Sequence, residues 1–139
     1  MSRAACLVSG ACACAVLALQ GCALRGTIID HTRYEVNVKR LRPAQGEGIR
    51  ILHGDIEGVV PLEDIESIEI DPAFARTFHR RLYYKAEISM HEGRTLRGPG
   101  RNRTGPEGTY VCVQHVLVGD GPHGEFRISL DKVSRLVIE

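Results

Sequence analysis

The chain has 139 residues, of which 43% are hydrophobic and 5% aromatic, and its 18 Lys+Arg against 17 Asp+Glu give a formal net charge of +1. A charge this close to neutral argues against a general binder of nucleic acid or of anionic membranes. The length suits one compact domain with its own core rather than several domains.

Residues 1–21 are arranged like a secretory signal peptide. Arg3 supplies a positive start, an uncharged apolar run follows from Ala4 to Leu19, and the small Gly21 ends the segment. The run of about 16 residues is shorter than the roughly 20 that a membrane-spanning helix needs. We therefore predict a cleaved signal peptide, with an uncleaved transmembrane anchor as the alternative.

The residues Leu19-Gln20-Gly21-Cys22 that end this segment resemble the lipobox of bacterial lipoproteins. The resemblance implies cleavage before Cys22, diacylglycerol on its sulfur and acylation of the new amino terminus, with palmitate as the acyl group. Membrane lipid is then the first partner, because two or more acyl chains anchor a protein stably. The resemblance also implies sorting by Ala23, which is not the aspartate that retains such proteins in the inner membrane. We expect the folded domain to face the periplasm, on the outer membrane if the host has one.

The five cysteines do not form a disulfide framework. Three lie in the predicted signal peptide, at Cys6, Cys12 and Cys14. Cys22 is the predicted lipidation site, so Cys112 alone remains and we expect no internal disulfide. Because Cys112 lies in an apolar stretch typical of a strand, we predict a buried, inert thiol, and a reactive thiol is the alternative.

The mature chain is predicted to begin with a short lipid-anchored tether over 22–31. Ten extended residues reach about 35 Å, so the globular part must lie close to the lipid surface. We predict a single β domain over 32–139. It divides into a first β-unit at 32–71, a short helix at 72–81 and a second β-unit at 82–139.

The first β-unit begins with alternation of apolar and polar residues from Arg33 to Arg40, which is the period of a half-buried strand. Further strands are predicted at 48–52, 59–62 and 67–70. Pro61 has no N–H to donate to a ladder, which favours an edge position for its strand. One tight turn is predicted at 63–65.

The helix prediction depends on Asp71 and Pro72, which suit the N-cap and the first helical position. Phe74 and Phe78 then lie about one helical turn apart. These signals predict a short helix over 72–81 between the two β-units.

The second β-unit begins with another alternating strand, from Leu82 to His91, and a turn then folds the chain into a hairpin. A loop rich in Gly, Pro and Arg is predicted over 98–108. The stretch from Tyr110 to Val118 is apolar on both faces, which predicts one central, deeply buried strand. Two short strands, at 126–130 and 135–138, are predicted to close the chain.

An internal repeat links the two units. Residues 128–138 match residues 60–70 at the apolar positions, and an acid follows the shared leucine in both segments. The match favours a duplicated β-unit, and the alternative is two unrelated strand–turn–strand pieces with a common pattern. The sequence therefore predicts a mostly-β fold, a small antiparallel barrel or sandwich built from two β-units that share one core.

In the repeat, a strand ends in leucine, an acid caps one helical turn, and a last strand pairs back. The second half, from Leu82 to Glu139 with its Gly-Arg-Thr-Leu-Arg-Gly hairpin, resembles small SH3-like or Sm-like barrels, in which such a turn precedes the final strand. The resemblance implies a barrel fold. It implies no binding residues, because the clustered aromatics of a proline-binding surface are not matched.

The titratable residues give no catalytic or metal-binding constellation in the sequence. The six histidines have neither ligand spacing nor a supporting cysteine cluster, which argues against a metal site or another cofactor. No glycine-flanked serine elbow occurs, and Cys112 lacks an activating context. Glu63 and Asp64 are adjacent carboxylates that the repeat explains as turn caps. We expect no enzyme activity, with a hydrolase as the least favoured function.

Charge is segregated along the chain. Acids dominate from Glu47 to Asp71, and bases dominate from Arg76 to Arg103. Four arginines of the basic stretch surround the Gly/Pro-rich loop, namely Arg94, Arg97, Arg101 and Arg103. Their guanidinium groups and the backbone amides of the loop suit an anionic ligand. The alternative is that these are solvated strand faces and that opposite patches pair within the fold.

These features favour a membrane-anchored periplasmic lipoprotein that acts as a non-enzymatic protein-interaction or envelope-assembly module. Its strand edges are available for pairing with an envelope protein. The alternative is a binder of an anionic envelope ligand through the arginine-rich loop over 94–103. The neutral charge balance argues against a nucleic-acid partner.

Overall fold

The computed structural model describes residues 23–93, 95–96 and 108–139. Strands joined by turns make up most of these ranges, so the predicted mostly-β class is confirmed. The strands are β1 Leu24–Asp30, β2 Glu35–Pro43, β3 Gly48–His53, β4 Ile56–Pro61, β5 Ile65–Phe78, β6 Arg81–Met90, β7 Thr95–Leu96, β8 Thr109–Cys112, β9 Val116–Gly121, β10 Gly124–Ser129 and β11 Val133–Ile138. Two short 3-10 helices, Leu62–Asp64 and Leu130–Lys132, precede β5 and β11.

All of these strands belong to one curled antiparallel sheet. Its order is β10-β9-β2-β1-β11-β5-β6-β8-β3-β4, and β7 pairs with β6 beside this path. β10 and β4 are therefore the two ends of the sheet. The longest ladder joins β5 to β6, from Ile65 opposite Met90 to Phe78 opposite Arg81.

Strands from the two halves of the chain are interleaved along the sheet. β1 and β2, which come first in the sequence, lie between β11 and β9. β6 and β8 from the second half lie in turn between β5 and β3. Each side of the sheet thus combines strands of both halves, which excludes two barrels that fold independently side by side.

The middle of the sheet pairs two segments that correspond in the sequence. β5 and β11 pair antiparallel with Ile68 opposite Leu136. Leu136 stands 68 positions after Ile68, and the 3-10 helix at Leu130–Lys132 stands at the same offset after the one at Leu62–Asp64. The pairing is therefore symmetric: if the two corresponding segments changed places, the same residues would still lie opposite each other. The tight turn predicted before each of these strands is present as a 3-10 helix.

One hydrophobic core contains side chains from both halves of the chain. Its members that are at most 1% exposed include Ile28, Ile49, Ile88, Leu117 and Leu136. Because these strands alternate in the sheet, neither half of the chain can bury its apolar face without the other.

A second, smaller apolar cluster lies on the opposite face of the sheet. Its buried members are Leu52, Tyr83, Tyr110 and Cys112, and Phe78 packs against them. The alternation of a strand explains the two faces, since the neighbours of Tyr83 along β6 pack against the main core instead. The apolar character of both faces of β8 predicted from the sequence is confirmed.

The segment predicted as a helix, 72–81, is strand and turn instead. β5 continues through it to Phe78, and β6 starts at Arg81. The pairing with β6 is interrupted by a bulge between Asp71 and Ala75 and then resumes. Ladder hydrogen bonds along this hairpin outweigh the local helix signals, because tertiary pairing routinely overrides propensity.

The residues that suggest a helix have other roles in the hairpin. Asp71 accepts a 3.0 Å hydrogen bond from the N–H of Ala73, which shapes the bulge rather than a helix N-terminus. Phe74 and Phe78 are both partly buried. Their spacing fits two periods of a strand as well as about one turn of a helix, so it does not distinguish the two.

The segment predicted as a tether, 22–31, contains strand β1. Ile28 of this strand is 1% exposed in the main core. Gly26 and Ile28 are buried whereas Arg25 is exposed, which is the alternation of a strand with one face on the core. The folded domain therefore begins at the amino end of the predicted tether rather than after it.

The single strand predicted from Tyr110 to Val118 is divided into two. β8 ends at Cys112, a turn occupies Val113 and Gln114, and β9 follows in a distant part of the sheet. The apolar run carries no local sign of this turn. The backbone N–H of Val113 instead bonds to Leu82 of β6, at 3.1 Å.

Candidate functional site

The residues predicted from the sequence to carry function lie outside the described part of the chain. Cys22 precedes the first described residue, and Arg94, Arg97, Arg101 and Arg103 fall in the two gaps. Their roles in lipidation and anion binding stay predictions.

The free side of β4 is the described surface with the clearest capacity for binding. β4 pairs with β3 along its whole length, from Gly48 opposite Pro61 to His53 opposite Ile56. It ends the sheet, and none of the described strands pairs with its other side. The edge position predicted from Pro61 is confirmed.

Backbone groups of Glu57 and Val59 point to this free side. The two-residue turn of the β3–β4 hairpin makes the pair that flanks it, His53 and Ile56, a hydrogen-bonded pair. Hydrogen bonding alternates from there, so the even-numbered residues of β4 bond to β3 and the odd-numbered ones point away. The N–H of Arg50 agrees with this alternation, because it bonds to a histidine ring outside the β3–β4 ladder.

β4 also carries exposed aliphatic side chains. Ile56 is 74% exposed and Val59 is 52% exposed. Within residues 23–93 and 108–139, the only other large hydrophobic side chain this exposed is Tyr34, at 59%. Natural edge strands are commonly protected by lysine, proline or a bulge, whereas β4 has Pro61 only at its last position and no basic residue. With respect to the described strands, its edge is therefore open to pairing.

A network around Glu57 attaches β4 to the β5–β6 hairpin. The Glu57 carboxylate accepts a 2.6 Å hydrogen bond from the Tyr83 hydroxyl and lies 3.0 Å from Nδ1 of His79. Nη1 of Arg81 lies 3.5 Å from the same carboxylate. The hydrogen bond from Tyr83, and next that with His79, lowers the pKa of Glu57. Burial, and next the bond to Glu57, raises the pKa of Tyr83. At neutral pH the pair is thus a carboxylate and a neutral phenol.

Arg76 holds the turn at the other end of the edge, between β3 and β4. Its guanidinium donates hydrogen bonds to the Gly54 carbonyl at 2.6 Å and to the Asp55 carboxylate at 2.7 Å. The same group lies over the rings of Phe78 and Tyr110, 5.6 and 5.7 Å from their centroids, where cation–π attraction adds to its hold. The β5–β6 hairpin therefore contacts β4 and its turn, and fixes this edge in place.

Some residues of the acidic stretch 47–71 and the basic stretch 76–103 form ion pairs with each other in the fold. Asp55 binds Arg76, and Glu57 binds Arg81, so in these two cases opposite stretches of the sequence pair with each other. Directly after β4, three exposed acids have no ion pair among the described residues, namely Glu63, Asp64 and Glu66. The carboxyl end of the open edge is therefore flanked by negative charge.

His115 and Cys112 both make contacts within the fold that give them a structural role. Nε2 of His115 accepts a 3.0 Å hydrogen bond from the backbone N–H of Arg50, so the ring is neutral with its proton on Nδ1. Burial, and next the charges of Arg50 and Arg81, lowers the pKa of His115.

Cys112 is a buried free thiol, as predicted. In the part of the chain that the structure describes, no three His, Cys, Asp or Glu side chains are grouped to hold a metal ion.

A shallow cleft of about 360 Å³ lies beside Ala23, the first described residue. Its charged lining residues are Arg40, Arg42, Glu47 and Glu63. Because these charges have both signs, the cleft does not select for an anion or for a cation.

None of the described helices is long and apolar enough to cross a membrane.

No protein-family model matches the chain, and a comparison with curated proteins finds no significant sequence match. Function is therefore inferred from the residues of this chain and their contacts. Sequence patterns missed the network at Glu57, because Tyr83 is 26 positions away and its strand partner depends on the sheet order. They also missed the exposure of Ile56, for which the edge signal at Pro61 was the available clue.

Proposed function

We propose that this chain is a lipid-anchored protein of the bacterial cell envelope that acts as a non-enzymatic interaction module at the membrane surface. The signal peptide over 1–21 and the lipobox at Cys22 supply the anchor. The globular domain faces the periplasm, on the outer membrane where the host has one, and its partner is an envelope protein.

The observation that carries this proposal is the distance between the anchor and the fold. β1 begins at Leu24, two positions after Cys22. Leu24 packs against the main core, and the Arg25 carbonyl accepts a 2.9 Å hydrogen bond from the N–H of Glu139. Two extended residues reach about 7 Å. An acylated Cys22 would hold the domain directly at the lipid headgroups, so partners are sought there.

The contacts of the polar side chains support an interaction module rather than an enzyme. His79 and Tyr83 both bind Glu57 and thereby brace an edge strand. A catalytic site would instead direct such groups into a cavity where a substrate can reach them. The open edge of β4 is a surface of the kind that binds extended segments.

We also propose that the two β-units arose by duplication of a small SH3-like unit. The shared offset of the two 3-10 helices and the register of Ile68 opposite Leu136 support this history. Exchange of strands between the units then accounts for the single interleaved sheet.

The anchor is tested by metabolic labelling with an alkyne analogue of palmitate. The full-length chain is expected to take up the label and to fractionate with membranes, and Cys22→Ser is expected to do neither. Cys112→Ser is the matched control, because it removes the other cysteine of the mature chain and should label like the parent. A Cys22→Ser protein that still carries the label would overturn the proposal.

The alternative function, binding of an anionic envelope ligand, concerns Arg94, Arg97, Arg101 and Arg103. Its basis is the sequence alone. Replacing the last three arginines with alanine should abolish binding of an anionic ligand without lowering the melting temperature, and unchanged binding would remove this alternative.

A further inference from the structure

We infer that β4 binds an extended segment of a partner protein by strand addition, and that this segment carries basic residues beside apolar ones. The inference rests on the proposed function as an interaction module and names the surface that performs it. Three properties of the edge support it: its backbone groups that no described strand pairs, its exposed aliphatic side chains and the charge at its carboxyl end.

The backbone of β4 offers a short ladder to an incoming strand. Glu57 and Val59 each point an N–H and a C=O away from β3. A strand that pairs here would satisfy these groups in the way that β3 satisfies the other side. Main-chain hydrogen bonds of this kind supply affinity in strand addition, and alternate side chains supply specificity.

The edge is held in a fixed conformation before any partner arrives. Tyr83 fixes the Glu57 side chain, and Arg76 fixes the turn at Gly54 and Asp55. Ordering a mobile segment costs affinity, and a preorganised edge avoids that cost. Ile56 and Val59 remain exposed beside the ladder, where apolar side chains of an added strand can cover them.

Charge disfavours a second copy of the chain as the occupant. In a symmetric antiparallel pairing of two β4 strands centred on Val59, the acids that follow β4 in one copy would approach the turn at Asp55 of the other, at both ends of the ladder. Like charges brought close together disfavour this pairing. The exposed acids after β4 instead attract lysine or arginine, and complementary charge of this kind sets register and partner choice.

The other end of the sheet is a weaker candidate. β10 directs Phe126 and Ile128 towards the main core, where both are partly buried. Its exposed side chains include Glu125 and Arg127, which have opposite charge. It therefore lacks the exposed aliphatic residues that distinguish β4, and its own exposed charges have both signs.

The test uses the mature lipidated chain in detergent micelles and a synthetic peptide of alternating valine and threonine with two lysines at one end. We expect the peptide to bind and to slow amide hydrogen exchange at Glu57 and Val59. The variant Val59→Pro removes an N–H that points to the free side, so it should spare the β3–β4 ladder and weaken binding by about tenfold or more. Val59→Thr, which keeps the N–H and the branched shape, should bind within about threefold of the parent.

Several results would overturn the inference. The first is that a peptide with glutamates in place of the lysines binds as tightly as the lysine peptide. The second is that Val59→Pro binds the peptide as tightly as the parent at an unchanged melting temperature. The third is that the peptide slows hydrogen exchange at amides outside β4. Self-association of the chain that Val59→Pro abolishes would also overturn it, because the occupant would then be a second copy.

A further measurement separates this inference from the proposed function. A photoreactive residue at Ile56 should crosslink the anchored chain to an envelope protein in cells, and Val59→Pro should remove the crosslinked band. Crosslinks to envelope proteins from Tyr34 but none from Ile56 would leave the interaction module standing and reject strand addition. An absence of crosslinks from all exposed positions would reject both.

Discussion

The Tyr83 hydroxyl donates a 2.6 Å hydrogen bond to the Glu57 carboxylate and thereby joins the long β5–β6 hairpin to the edge strand β4. Two strands, β8 and β3, lie between β6 and β4 in the sheet. The contact therefore crosses the face that carries the second apolar cluster. This hydroxyl group links the second cluster to the edge, alongside the contacts that His79, Arg81 and Arg76 make with β4 and its turn.

Tyr83→Phe is expected to destabilise the domain by about 1.5–3 kcal/mol, the usual contribution of a hydrogen bond to a charged group. It should also raise the pKa of Glu57, because the bond from Tyr83 is the largest cause of its lowering. Chemical denaturation measures the first effect, and a carboxyl NMR titration of Glu57 measures the second.

Tyr84→Phe is the control for this substitution, since Tyr84 lies on the opposite face of the same strand and packs against the main core. It should change neither the free energy of unfolding by more than about 0.5 kcal/mol nor the pKa of Glu57. Equal effects of the two substitutions would show that the hydroxyl of Tyr83 has no special role.

The lowered pKa of His115 predicts that the folded chain loses stability as the pH falls below neutral. Its pKa in the folded chain is lowered below the usual 6.5 by burial and by Arg50 and Arg81. Below pH 6.5 the unfolded chain takes up a proton that the native ring still excludes, so the stability that His115 contributes is complete above pH 6.5 and is lost as the pH falls towards the native pKa.

Equilibrium unfolding at several pH values between about 5 and 8 tests this behaviour. The difference in unfolding free energy between the parent and His115→Gln should fall as the pH drops, with a slope below about 1.4 kcal/mol per pH unit, the limit for one proton. His123→Gln, at an exposed turn position, should leave the pH dependence of the parent intact. A parent and His115→Gln that respond to pH in parallel would refute the prediction.

The two hairpin turns predict opposite shifts of the melting temperature when a glycine is added to one and removed from the other. His79 and Arg80 connect β5 to β6 with φ of 49° and 67°, and Gly54 in the β3–β4 turn has φ of 65°. Left-handed backbone costs a non-glycine residue about 1–2 kcal/mol. Arg80→Gly, at an exposed position, should therefore raise the melting temperature, and Gly54→Ala should lower it.

Steric clashes do not complicate this comparison, because a Cβ added at Gly54 would meet no heavy atom within 4 Å. Differential scanning calorimetry of both variants measures the effect. Shifts of the same sign would mean that contacts other than backbone conformation decide the stability of these turns.

The sequence predicted the parts of the fold that depend on local pattern. Alternation located most strands, Pro61 indicated an edge, and the repeat indicated the two 3-10 turns. The helix over 72–81 was predicted wrongly because the spacing of Phe74 and Phe78 satisfies a strand as well as a helix, and the pairing with β6 that decides between them is not visible locally. The candidate site was predicted only as a strand edge, since Glu57 and Tyr83 come together through a sheet order that interleaves both halves of the chain.

The pairing of Ile68 with Leu136 at the centre of the sheet gives the last prediction. Both side chains are fully buried, at 0% exposure, on neighbouring strands. Ile68→Val should cost about 0.5–1.5 kcal/mol and Leu136→Ala about 2–5 kcal/mol, because each leaves a cavity that the core fills only partly.

The double variant tests whether these two residues are neighbours in solution. Residues in contact share one cavity, so the combined loss should depart from the sum of the single losses by at least about 0.5 kcal/mol. Ile68→Val combined with Leu52→Ala is the matched control, since Leu52 belongs to the cluster on the other face and the two losses should add. Additivity in both pairs, measured by urea denaturation, would contradict the register that joins the two halves of the chain.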